Sequence, residues 1–193
     1  MSAAATIDTL LFMLHMTIAA GASAAVILMA IFATVPNYHW APFSLLPLVW
    51  GIYLLRGKLA LRPWNHLLVD SAILLHMAGA FGFYQKSPLP FSYDILVHYY
   101  FALVVALALH AALKAKYPLA PWQLAIITLM FMMGLGALHE IMEYMTYLVL
   151  GENGGMLKPS TSYFFDTQRD LLNNLLGTIT ALLVIQLPSS RRD

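Results

Sequence analysis

From Trp122 to Leu150 the chain is apolar almost throughout, and at about 1.5 Å of rise per residue a helix of that length crosses a hydrocarbon core about 30 Å thick. Five further apolar runs lie at Thr9 to Thr34, Phe43 to Leu55, Leu67 to Tyr84, Asp94 to Ala115 and Asp166 to Leu187. The pattern predicts an all-α, polytopic transmembrane bundle of about six helices. The second run is short and holds Pro47, so a kinked, tilted or extended helix is expected there. Composition agrees: 61% of the 193 residues are hydrophobic and 10% charged, whereas soluble domains carry roughly a quarter charged residues.

The breaks between runs, such as RGKLALRPWNH, QKSPLPFSY, KAKYPLAPW and GENGGMLKPSTS, hold Pro, Gly, Trp and Tyr suited to loops and membrane interfaces. None has room for a soluble domain, so residues 1–193 read as a single integral membrane domain. Ala22, Ser23 and Ala24 imitate a cleavage site, yet no Lys or Arg precedes them and the apolar run continues past them, which predicts an uncleaved helix. With a net charge of only +1 and scattered basic residues, nucleic acid is not an expected partner; membrane lipids and a lipid or small-molecule substrate are. The oligomeric state is not readable.

Basic residues set the orientation. Arg56, Lys58, Arg62, Lys114, Lys116, Arg191 and Arg192 fall on the side shared by both termini, and Lys86 and Lys158 on the other. By the positive-inside rule both termini are cytoplasmic, in a multi-pass protein of a bacterial inner membrane. On that frame His98 and Asp170 lie roughly 6 Å below the outer face, Glu143 about 10 Å, His76 about 12 Å, and His139 and Glu140 about 15 Å.

Asp94 with His98, His139 with Glu143, and Asp166 with Asp170 are each four residues apart, so each pair projects from one helical face. Asn173 and Asn174 carry the last helix's polar stripe one turn deeper. Charges in apolar surroundings must meet one another, a metal or water.

The segments LLHMAGAFGFY, YDILVHYYFAL, HEIMEY and FDTQRDLLNNLLG, in that order, resemble the ordered motifs of the YjdF-like bacterial inner-membrane proteins, a family of uncharacterised function. The resemblance runs from the third helix to the sixth. It implies motif positions at His76, Tyr84, Tyr93, Asp94, His98, Glu140, Glu143, Asp166, Gln168 and Asp170. The chain departs from the pattern with His139 where Tyr is usual, Tyr144 in place of Trp, and HYY rather than HF. The family supplies no reaction.

With no cysteine, a metal would need imidazole and carboxylate ligands, a set that suits a divalent Zn, Mn or Fe ion. His98, His139, Glu140, Glu143, Asp166 and Asp170 form the ligand pool, with His76, Tyr93, Asp94, Gln168 and Asn174 as supporting partners and Glu140 and Glu143 as candidate catalytic carboxylates. Such a centre would act as a metal-dependent enzyme on a lipid or small apolar substrate. HEIME itself is not the zincin H-E-x-x-H, because position 143 is Glu.

Two other readings stand beside this one. The acids and histidines could carry protons or ions through a transporter, although no inverted repeat is visible. Alternatively they form a purely structural network, with Asp94 and Asp166 capping helix N-termini. Elsewhere, His66 and Asp70 read as an i, i+4 pair near the cytoplasmic interface, His15 as a hydrogen-bonded bundle residue, and the MFMM methionines as packing. The GENGG loop reads as a lid beside the site, and Arg169, placed on another face from Asp166 and Asp170, as a contact for a lipid phosphate.

Overall fold

A computed structural model describes residues 3–32, 50–51, 54–55, 58–59, 61–150 and 163–186. Among these, every extended element is helical: α1 (Ala3–Phe32), α2 (Pro63–Ala78) continued by a π-helical turn (Gly79–Phe83), α3 (Tyr93–Lys116), α4 (Pro121–Leu150) and α5 (Tyr163–Gln186). The short second apolar run lies mostly outside the described residues, as does the GENGG loop.

Local sequence sets the helix ends. Pro63 stands at the first position of α2 after an extended Arg62, where the missing N–H costs nothing and the fixed φ is already helical. Before α4, the Gln123 side chain accepts from the Ala120 backbone N–H at 2.9 Å, the reciprocal half of a capping box. Helix α3 stops at Lys116, one residue before the Tyr117–Pro118 step, because a residue preceding proline is driven out of the helical region. The capping role expected of Asp94 is a correction: Ser92 occupies the N-cap, and Asp94 lies inside the first turn. Asp166 likewise lies within α5, which starts at Tyr163.

Helices α3 and α4 are long and apolar enough to cross a membrane. Met130, Phe131, Ile141, Met145 and Val149 of α4 are exposed, as expected of a helix whose outer face meets acyl chains. Inside, the most extensive contact joins α3 to α5, with α2 against α3, α4 against α5 and α1 against α2. Small residues make that closeness possible: Ala102, Ala106 and Ala181 are fully buried beside Met132. A Cβ at Gly177 would strike the Tyr99 carbonyl oxygen and lie 3.1 Å from the Ala102 Cβ. Where lipid offers no hydrophobic drive for helix association, such close approach and interhelical hydrogen bonds hold the bundle. Tyr99 donates to Thr180 Oγ1 at 3.0 Å, Tyr93 donates to the Leu75 carbonyl at 3.0 Å, and the Ser71 and Tyr100 hydroxyls share a bond of 2.9 Å.

Candidate metal centre

The end of α2, the start of α3, the late turns of α4 and the start of α5 meet at one end of the bundle, and they gather polar side chains from all four. Asp94 and His98 project from adjacent turns of α3, and Asp170 faces them from α5. His98 Nε2 lies 3.6 Å from Asp94 Oδ1 and 3.9 Å from Asp170 Oδ2. One ligand atom from each of the three lies within 4.8 Å of the other two. His98 and Asp170 are buried.

The second oxygen of each aspartate is committed elsewhere. Arg169 bonds Asp94 Oδ2 at 3.0 Å and Asp170 Oδ1 at 3.3 Å, and it also bonds Asp166. Each carboxylate of the triad therefore turns one oxygen to the guanidinium and the other toward His98. Arg169 thus braces α3 against α5, and its planar fork of donors suits that task. This corrects the lipid-phosphate reading of Arg169. Its position three residues after Asp166 was the available signal, since i, i+3 residues are neighbours on a helix.

Around the triad lies a wider ring. His139 Nε2 is 3.3 Å from Glu143 Oε1 on α4, and the His139 ring lies 5.6 Å from that of His98 and 6.3 Å from that of His76. Glu140 is buried, and its Oε1 has no partner among the described residues. Asn174 is buried against Gly136 of α4. His139, Glu140, Glu143 and Asp166 thus surround the Asp94–His98–Asp170 group without joining it, and Asp94, expected as a supporting residue, belongs to it. Tyr93 is bound to the Leu75 carbonyl, and Gln168 is exposed on α5.

His76 is oriented by the π-helical turn. Gly82 has φ 130°, a conformation that glycine adopts without strain, and the chain folds back so that the Tyr84 hydroxyl shares a 2.7 Å hydrogen bond with His76 Nδ1. A Cβ at Gly79 would collide with the Tyr84 ring, so glycine is required there too. His76 Nε2 is left buried with no partner among the described residues, and His76 lines a cavity of about 220 Å³ beside the triad.

A separate buried group lies nearer the opposite end of α2. Asp70 is bonded to His15 of α1, and the His15 and His66 rings are 4.9 Å apart. The sequence pairs Asp70 with His66; the structure pairs Asp70 with His15, buried from another helix, and sets the His66 ring against His15.

A family model described as "Predicted membrane protein (DUF2238)" matches residues 10–191 of the chain. No curated protein and no solved structure matches it.

Proposed function

The chain belongs to the DUF2238 family of predicted membrane proteins, and from that premise we propose a multi-pass bacterial inner-membrane protein, close to the YjdF-like proteins, that binds a divalent metal ion at Asp94, His98 and Asp170. In this reading six spans place both termini in the cytoplasm and the centre in the outer half of the bundle. The division of oxygens carries the reading. Arg169 holds one oxygen of each aspartate and leaves Asp94 Oδ1 and Asp170 Oδ2 directed at His98. Tetrahedral donors about 2.1 Å from an ion stand about 3.4 Å apart, so separations of 3.6 and 3.9 Å need shifts of a few tenths of an ångström. Ligands fixed from behind by hydrogen bonds are a mark of metal sites.

Charge supports the same reading. Asp94, Asp166 and Asp170 share the single guanidinium of Arg169, Glu140 and Glu143 lie near Asp94, and buried carboxylates in such excess over the cations among the described residues call for a further cation or for protons. Zn, Mn or Fe suits one imidazole with carboxylates. When bound, the ion supplies Lewis acidity, while Glu140 and Glu143 stand as proton acceptors and His139 relays to Glu143. The apolar cavity alongside fits a lipid or small apolar substrate.

Elemental analysis of protein purified in detergent tests this. About one equivalent of Zn, Mn or Fe is expected, lost in Asp170→Asn and His98→Ala but kept in Asp70→Asn. Background metal in the wild type, with the same variants lowering only thermal stability, would make the Arg169 network structural. Proton-coupled flux in liposomes that Glu143→Gln abolishes would favour the carrier instead.

A further inference from the structure

The cavity beside the triad is lined by two unlike sets of side chains. The polar set is His76, His98, His139 and Asn174. Among the described residues, no carboxylate, Lys or Arg lines the cavity. Interleaved with the polar set are Phe101, three residues after His98 on α3, and Leu135, Leu138 and Met142, on the same face of α4 as His139. Leu138 and Met142 sit four residues apart on α4 and are 53% and 45% exposed, so the cavity reaches the surface through the apolar flank of the bundle. At about 220 Å³ it is smaller than the roughly 300 Å³ at which drug-sized pockets begin. It has room for a head and the first part of one chain, the remainder staying outside among acyl tails.

The polar set selects the head. In the metal-free protein Arg169, the nearest guanidinium among the described residues, is already committed to Asp94, Asp166 and Asp170, and the carboxylates behind the imidazoles would repel a phosphate. A quaternary ammonium head would find, among the described residues, neither a lining carboxylate nor a Trp or Tyr face. The polar set instead offers hydrogen-bond donors. The Tyr84 hydroxyl occupies His76 Nδ1, and Nε2 is buried with no partner among the described residues; in the tautomer whose Nδ1 accepts the Tyr84 O–H, Nε2 carries the hydrogen. A buried polar atom of that kind is ordinarily satisfied by something, and an oxygen acceptor in the cavity would do so. Room for the Asn174 carboxamide comes from Gly136, where a Cβ would approach Nδ2 to 2.7 Å.

We propose that this cavity binds the carbonyl head of an uncharged, single-chain acyl lipid, which reaches it sideways from the bilayer past Leu138 and Met142. The proposal names the substrate class for the metal-assisted centre and rests on that reading for its chemistry, but binding itself is measurable without metal.

The test uses the full chain in lipid nanodiscs, with and without chelator, and three ligands sharing one oleoyl chain: 1-oleoylglycerol, oleoyl lysophosphatidic acid and oleoylcholine. Saturable binding of 1-oleoylglycerol is expected, about tenfold tighter than either charged ligand. His76→Ala should weaken it about tenfold, the scale of one hydrogen bond. Met142→Trp and Leu138→Trp, at half-exposed positions that folding tolerates, should block it. No saturable binding of 1-oleoylglycerol, equal or tighter binding of a charged ligand, or indifference to both tryptophans would overturn the proposal. Lipid binding in protein that never holds metal would sink the metal reading and leave this one standing; metal without lipid binding would do the reverse.

Discussion

Asp70 and His15 are each about 2% exposed and bonded to each other between α1 and α2. Removing one partner of a buried pair leaves the other without compensation, at a cost of about 3–5 kcal/mol. Asp70→Ala should therefore lower the unfolding free energy in detergent by about that amount while metal content stays at the wild-type level; loss of metal in this variant would mean that the two polar groups are one site. Tyr84→Phe is milder. It removes the 2.7 Å bond to His76 and should cost about 1 kcal/mol, read by the same denaturation. At this scale the sequence showed which residues are polar in an apolar setting, and the i, i+4 spacing showed that Asp94 faces with His98. It hid the partner across the bundle, because the contact from Arg169 to Asp94 joins residues 75 apart and no local period reports it.

Helix packing depends on absent side chains as much as on present ones. The Gly177 position on α5 faces the Tyr99 carbonyl of α3, and backbone cannot swing aside as a flexible side chain can. Gly177→Ala should push the two helices apart, break the Tyr99–Thr180 hydrogen bond and destabilise by about 1–3 kcal/mol. A melting temperature unchanged by Gly177→Ala would show that α3 and α5 are not so closely seated. Long apolar periods made α3, α4 and α5 legible from sequence to within a few residues, since a bilayer-length run of such residues admits little else. The reading of Asp94 and Asp166 as caps failed because α3 and α5 start upstream of them. The π-helical turn was also not legible, since the fold of the Tyr84 ring over Gly79 is a tertiary contact that no local spacing reports.

Across the whole molecule, the proposed orientation follows from basic residues at opposite ends of the helices. Because the chain contains no cysteine, single cysteines report on it cleanly. Lys86→Cys should react with a membrane-impermeant thiol reagent in intact spheroplasts, and Lys116→Cys only after permeabilisation; the reverse pattern would invert the bundle and move the centre to the cytoplasmic half. The central claim is that Asp94, His98 and Asp170 converge on an ion. X-ray absorption at the metal edge of the purified protein tests it most directly: the account predicts an inner shell with one imidazole nitrogen and carboxylate oxygens at about 2.0–2.2 Å, with the edge signal lost in Asp170→Asn. An inner shell of water alone, or one that Asp170→Asn leaves unchanged, would contradict it.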